Sequence, residues 1–336
     1  MKTWLLLFLI ALVTAATAGF ALAQQPAKIP QIGYLNVPVR QPSSDGSEWK
    51  PRHLSEAFRQ GLRELGYVEG QNIIINEWIG EGAQLRGLAA DLVRHKMDVI
   101  VAQARAIPAA MSATTTIPIV AAFAGDPVLN KMVTSLDRPG GNVTGVGALT
   151  PELGGKWLEL IRQTIPNAKR VAVFWNRSAE DTVPMAKTIE FTARSLGVDL
   201  RWETVGPTAG SWLYRRLRSA ALRQVDAFIV LPGFAGMSLL EDIADFGLRN
   251  RIPGIFGRSD LNIEQMGGLM AYGVNRFEQS RRAAYIVDKI LKGAKPAQLP
   301  VELPKNFELV INLKAAKEIA ITIPARVLAW ADRVIK

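Results

Sequence analysis

The side chains best suited to chemistry in this 336-residue sequence are binders rather than reactants. Arg105 and Arg258 each follow a short apolar run, where a guanidinium can make a forked, charge-assisted bond to a carboxylate. Asp126, within Gly125-Asp126-Pro127, can hold an ammonium group. Gln41, Ser43, Gln103 and Asn176 add neutral hydrogen-bonding groups, and Phe234, Tyr272 and Trp49 offer faces for an apolar or aromatic body. Each type has a structural reading as well. Asp126 can serve the turn before Pro127, the arginines can pair with structural carboxylates, and Phe234 and Tyr272 can be core.

Reactive groups are scarce. The sequence has no cysteine and only two histidines, His53 and His95. That removes thiol nucleophiles, disulfide scaffolds, iron–sulfur clusters, and Cys-based or His-rich metal sites. No G-x-S-x-G, G-x-x-x-x-G-K-[ST] or H-E-x-x-H occurs, and Gly145-Val146-Gly147 lacks the third glycine of a dinucleotide fingerprint. His95, at a helix end beside Lys96, reads as a solvated cap. Glu241, Asp242 and Asp245 fall at helical spacing and read as an acidic exposed face. The expectation is a protein with no catalytic residues, metal or cofactor, and not an enzyme.

The elements that must position the binders alternate. Strand patterns at 32–35, 73–75, 98–102 and 117–123 are separated by helical patterns at 54–65, 85–95 and 107–113. Pro139-Gly140-Gly141-Asn142 interrupts this series, and Val143-Thr144-Gly145-Val146 reads as the passage into a second lobe. Strands at 170–175, 199–205, 227–231, 255–256, 267–273 and 307–311 then alternate with helices at 157–165, 183–196, 212–222, 239–248 and 276–291. Short helices at 313–319 and 324–335 finish the chain. Such alternation predicts two doubly wound α/β lobes, each a parallel sheet with helices on both faces. Ligands of such sheets lie beyond the carboxyl ends of the strands, which is where the candidate binders fall.

Composition fits this picture. Apolar residues make up 49% and charged residues 21%, as in a globular protein of about two domains. The net charge of +10 is dispersed along the chain, and no nucleic-acid recognition pattern accompanies it. At the amino end, Lys2, the apolar run Trp4 to Val13 and Ala21-Leu22-Ala23 read as a cleaved secretory leader, with the cut expected after Ala23; the other reading is an amino-terminal membrane anchor, for which the apolar run is short. No later stretch reaches membrane-spanning length. The mature chain is expected in the periplasm, without membrane insertion.

Three groups of motifs then point to a family. The first is Phe58-Arg59-Gln60-Gly61-Leu62-Arg63-Glu64-Leu65-Gly66-Tyr67-Val68-Glu69-Gly70-Gln71-Asn72. The second combines Ile117-Pro118-Ile119-Val120, Gly125-Asp126-Pro127-Val128 and Arg138-Pro139-Gly140-Gly141-Asn142-Val143-Thr144-Gly145. The third combines Gly268-Leu269-Met270-Ala271-Tyr272-Gly273, Ile290-Leu291-Lys292-Gly293-Ala294-Lys295-Pro296 and Phe307-Glu308-Leu309-Val310-Ile311-Asn312-Leu313-Lys314. In this order they resemble the TrpX-type substrate-binding proteins of ABC transporters, over essentially the whole mature chain.

The resemblance implies a type I periplasmic-binding-protein fold, with two lobes joined by three crossovers that close on a ligand. The expected division is a leader at 1–23, a first lobe of 24–145 and 259–303, and a second lobe of 146–258 and 304–336. The crossovers would fall near Thr144 to Val146, Gly257-Arg258, and Pro304 to Phe307. The resemblance also implies delivery of an amino acid or other small carboxylate to a membrane permease powered by a separate ATPase, by a monomeric protein. A ligand-sensing subunit for a membrane receptor would need the same cleft, and an exported enzyme on a small carboxylate is the third reading. Gln103-Ala104-Arg105 departs from the small, hydroxyl-bearing loop common in relatives, which points to a smaller or more anionic ligand than an aromatic amino acid.

Overall fold

The computed structural model describes residues 28–37, 54–103, 105–125, 128, 131–148, 151–176, 179, 182–204, 217, 219, 222–233 and 237–336. Residues 1–27, which include the segment expected to be a leader, and 38–53, which include Gln41, Ser43 and Trp49, lie outside the described residues. Strands β1 (Gln31–Asn36), β2 (Ile74–Ile79), β3 (Val99–Gln103), β4 (Ile119–Ala124) and β5 (Val143–Gly147) form one sheet in the order β2-β1-β3-β4-β5. Every pairing in it is parallel. Helices α1 (Leu54–Glu64), α2 (Gln84–Arg94) and α3 (Ala106–Ala113) connect its strands.

Alternate strand residues feed opposite faces of this sheet. Tyr34, Val99, Val101 and Val120 join one core cluster with Phe58 and Leu62 of α1, while Leu35, Ile100 and Ala102 join another with Leu85 and Leu92 of α2. Such continuous apolar strands are what a sheet covered on both faces requires. Gly145 allows β5 to seat: its φ is +150°, and a Cβ there would stand 2.2 Å from the Ala121 carbonyl oxygen of β4.

The second sheet contains β6 (Arg170–Trp175), β7 (Asp199–Thr204), β8 (Ala227–Val230), β9 (Gly254–Phe256), β10 (Met270–Gly273), β11 (Glu308–Asn312) and β12 (Arg333–Ile335). Their order is β12-β11-β10-β9-β8-β6-β7. Helices α4 (Leu153–Thr164), α5 (Val183–Leu196), α6 (Met237–Asn250), α7 (Ile263–Met266), α9 (Leu313–Glu318) and α10 (Ala325–Leu328) accompany it. Between α7 and α9 in the chain, α8 (Arg276–Leu291) crosses back to the first sheet, packing on α1, β4 and β5. Gly61 of α1 makes that packing close, because a Cβ there would lie 2.5 Å from the Arg281 carbonyl oxygen of α8. Trp157 of α4, fully buried, anchors the second core, and its indole Nε1–H donates to the Tyr272 carbonyl at 2.7 Å.

Four expectations are corrected. Residues 143–146 are not the passage between lobes but part of β5, because their backbone pairs with β4. Residues 259–273 belong with the second sheet, since β10 pairs with β9 and β11; the return crossover is thus at 274–275 and not at Gly257-Arg258. The helix expected at 324–335 is only the single turn of α10, followed by β12, which pairs with β11. Finally, the second sheet is not wholly parallel, because β11 runs against β10.

Topology explains that reversal. The chain leaves the first sheet at the carboxyl end of β5 and leaves the second at the carboxyl end of β10. Both sheets therefore present their strand carboxyl ends to the crossovers. A strand arriving from the first lobe through 303–307 must begin at that same edge, so β11 has to run opposite to β10. The return segment is held in place: Glu302 N–H donates to the Gly145 carbonyl at 3.0 Å, and Gly147 N–H to the Glu302 carbonyl at 2.8 Å.

Candidate functional site

The carboxyl edges of the two sheets meet at the start of α8. Asn275 caps that helix, its side-chain oxygen accepting from the Phe277 and Glu278 N–H groups. Its amide nitrogen donates to the Glu308 carboxylate of β11 at 3.0 and 3.1 Å. Arg276, the first helical residue, reaches into the second lobe: Nε and Nη2 approach Asp260 Oδ2 at 2.9 and 2.8 Å. Arg258 engages the same carboxylate, Nε to Oδ1 at 3.3 Å and Nη2 to Oδ2 at 2.9 Å.

The Asp260 side chain keeps only 2% of its surface, against 16% for Arg258 and 20% for Arg276. Burial pushes the Asp260 carboxyl up, but the charges and hydrogen bonds of Arg258 and Arg276 outweigh it and hold the group well below the usual carboxylate range. Burial and the neighbouring Arg258 charge lower Arg276, with Asp260 opposing them. Two cations around one carboxylate leave one positive charge uncompensated within the trio. Ser259 Oγ, between Arg258 and Asp260 in sequence, has no hydrogen-bond partner among the described residues.

Arg276 also lies over the Phe123 ring, 5.5 Å from its centroid. Phe123 sits at an irregularity between Ala122 and Ala124 in the β4–β5 pairing, with φ +56°. A bulky residue with positive φ is strained, and a bulge of this kind re-aims a side chain at a strand end. The strain therefore coincides with the point where the first lobe touches the trio.

A neutral network stands on the first lobe beside it. Gln103, at the carboxyl end of β3, pairs in register with Ala122 and is 2% exposed. Its Nε2 hydrogen-bonds Tyr34 Oη, which meets Ser280 Oγ at 3.0 Å, and Ser280 donates to the Leu54 carbonyl at 2.7 Å. Burial pushes Tyr34 up to about 12, partly offset by its hydrogen bonds to Ser280 and Gln103.

The expected binders separate accordingly. Arg258 is brought together with Arg276 and Asp260, and Gln103 stands at the adjoining strand end. Asn176 is turned to its own lobe, donating from Nδ2 to the Gly233 carbonyl at 3.0 Å. Gly233 and Arg258 help to line a small recess with Val230, Pro232, Leu240 and Phe256. Tyr272 packs against the second core beside Phe307, at 6.2 Å between ring centroids, and burial with the Asp332 and Glu159 charges raises its phenol. Arg105 is exposed at the start of α3. Gln41, Ser43, Asp126, Phe234 and Trp49 lie outside the described residues.

Sequence reasoning did not single out Asp260, Arg276, Phe123 or Tyr34. The nearest signal was the Arg258-Ser259-Asp260 spacing, which puts a carboxylate two residues from a candidate arginine. Among the described residues, no cluster of three or more His, Asp or Glu side chains could hold a metal, and no helix is long and apolar enough to cross a membrane.

Comparisons with known proteins agree with this architecture. Residues 50–335 match the family described as ABC transporter substrate binding protein. A tyrosine-binding protein of Clostridioides difficile (strain R20291) is 25% identical over 260 residues, spanning 76% of this chain and 73% of that protein. A solved ABC domain from Streptococcus pneumonia in complex with L-Trp superposes with a TM-score of 0.77 at 27% identity, covering 91% of this chain and 99% of that one. A conserved domain protein of Vibrio cholerae matches with the same TM-score, 0.77, at 28% identity over 91% of this chain and all of the other.

Proposed function

The chain belongs to the ABC transporter substrate-binding protein family, and on that premise we propose that it is an exported receptor that captures an α-amino acid between its lobes. The trio Arg258–Asp260–Arg276 carries this reading. Its carboxylate is buried and its arginines are largely so, it joins the lobes at a crossover, and it holds one positive charge more than its own carboxylate cancels. A ligand carboxylate is the natural complement, because forked guanidinium bonds are strong where water is excluded. Contacts made to Arg258 on one lobe and Arg276 on the other favour the closed arrangement by the differential affinity they supply.

The closed form then delivers its ligand to a membrane permease coupled to an ATPase, in the periplasm, after the leader has been cut behind Ala23. The relatives that bind tyrosine and tryptophan make those amino acids the first probes. L-Glutamate is the third, because the Gln103-Ala104-Arg105 sequence favours a smaller or more anionic guest. The test is thermal unfolding and calorimetric titration of residues 24–336 with each. The expected result is a saturable rise in stability, about 2.7 kcal/mol at 100 times Kd, much reduced in Arg258→Ala. Binding of neutral or cationic compounds with none of the three amino acids would overturn the reading.

A further inference from the structure

The network at Gln103 has a direction, and the direction determines what it offers. Ser280 has one hydroxyl proton, and it is spent on the Leu54 carbonyl at 2.7 Å. Tyr34 must therefore donate to Ser280 across their 3.0 Å contact, leaving the phenol oxygen only its acceptor role. The Gln103 group facing it has to be the amide nitrogen. The opposite orientation would set carbonyl oxygen against phenol oxygen with no proton between them. The side-chain carbonyl of Gln103 is thus turned away from Tyr34, and it accepts no hydrogen bond from the described residues. Its second amide hydrogen is likewise unclaimed among them.

Gln103 is 2% exposed, yet its Oε1 is not one of the buried side-chain atoms that lack a partner, so this acceptor keeps access to solvent and can meet a guest there. This one stands at the carboxyl end of β3, the edge where ligands of parallel sheets bind. The same helix links it to the arginines, since Ser280 and Arg276 lie one turn apart on α8 and share a face. The arginine trio is suited to a carboxylate, and the oriented amide beside it is suited to a donor.

We propose that Gln103 is the specificity-determining residue for the ligand's α-ammonium group, receiving its N–H on Oε1, and that Tyr34 is a positioning residue that locks the amide in the accepting orientation. This deepens the amino-acid reading and rests on it. The site would select an α-amino acid over the same molecule with hydrogen in place of the amino group.

The test is calorimetric titration of residues 24–336 with two matched pairs: L-tyrosine against 3-(4-hydroxyphenyl)propionate, and L-glutamate against glutarate. The wild-type protein should prefer the amino acid in the pair it binds. Gln103→Met keeps size and burial but removes the acceptor. It should weaken the amino acid about 10- to 100-fold, as for loss of a hydrogen bond to a charged group, and leave the des-amino partner within about twofold. Tyr34→Phe leaves Gln103 in place and frees its amide to turn, so it should narrow the same ratio by a smaller factor, and it keeps the test open if Gln103→Met does not fold.

Equal weakening of both members of a pair would overturn the inference while leaving the amino-acid reading intact. So would wild-type protein that binds the des-amino compound as tightly as the amino acid. An unchanged ratio in Tyr34→Phe would remove the positioning role. If neither these four compounds nor L-tryptophan binds the wild-type protein, the amino-acid reading falls and this inference falls with it; if only L-tryptophan binds, the same comparison is made against 3-(indol-3-yl)propionate.

Discussion

Asp260 and Glu302 each face two cations, yet their surroundings give those pairs different weight. Asp260 holds Arg258 and Arg276 with 2% of its side chain exposed. Glu302 meets Arg282, Nη2 to Oε1 at 2.9 Å, and more distantly Lys289 at 3.9 Å, with 29% of its side chain exposed. Both stand beside a crossover. At Asp260 the side chain makes the connection between lobes. At Glu302 the backbone does, through Gly145 and Gly147, and the carboxylate is an addition at the surface. Burial decides which: exposed ion pairs are screened and compete with hydration, whereas a buried charge stripped of its partner stays uncompensated.

The largest predicted effect comes from Asp260→Ala. Two guanidiniums would then face each other at a buried junction with no anion. Loss of one partner from a buried ionic cluster costs about 3–5 kcal/mol, so the denaturation midpoint should fall by that equivalent. Acid titration separates the charge from the packing. The folded-state pKa of Asp260 is depressed, so its stabilisation is complete above the unfolded value of about 3.9 and is lost as pH falls below it. Wild-type stability should decline in that acid range, and Asp260→Asn should lack this contribution to the decline. An identical acid profile for the two would break the comparison at its buried end.

Next in size is Arg258→Lys. An ammonium keeps the charge but loses the fork that meets both oxygens of Asp260, at 3.3 and 2.9 Å. The expected loss is about 1.5–3 kcal/mol by chemical denaturation. A change near zero would mean that Arg276 alone satisfies the carboxylate.

These predictions also show where the sequence was readable. Strand and helix periodicity located 170–175, 183–196 and 276–291 to the residue, because each is a long, regular apolar pattern with clear ends. It missed β12, three residues at the chain end that become a strand only because β11 is beside them. The arginine at 258 was legible as a candidate, but its partners were not. Arg276 is 18 positions away and on the other side of a crossover, and no periodicity encodes a contact between lobes. The boundary at 257–258 failed for the same reason: Gly257 resembles a turn in the chain, while pairing of β10 with β9 keeps the following residues in the second sheet. Tyr34 sits in an apolar strand pattern, and only its contact with Ser280, 246 positions away, reveals the network it orients.

Gly145→Ala tests the other crossover through its backbone. The added methyl would meet the Ala121 carbonyl oxygen at 2.2 Å and the Ala121 nitrogen at 2.6 Å, and neither can move without breaking the β4–β5 pairing. Overpacking of this kind costs about 1–3 kcal/mol. Because Gly145 accepts from the Glu302 N–H, amide exchange at Glu302 should accelerate in this variant. Unchanged exchange would show that Glu302 is held by its side chain after all.

The smallest effect is expected at Glu302→Gln. The glutamine keeps the shape and both backbone hydrogen bonds while removing the charge that Arg282 and Lys289 face. Hydrogen bonding to Glu302 raises Arg282, but Arg282 is 45% exposed and solvent screens what the pair contributes. The loss should stay within about 0.2–1 kcal/mol at low ionic strength and shrink as salt approaches about 0.15 M, where the screening length is near 8 Å. Asp260→Asn measured over the same salt series should keep most of its deficit, because ions do not reach a side chain 2% exposed. Parallel salt dependence in the two variants would mean that water and ions enter the Arg258–Asp260–Arg276 junction, and the carboxylate-binding role would then have to be argued for an open, solvated pair of arginines.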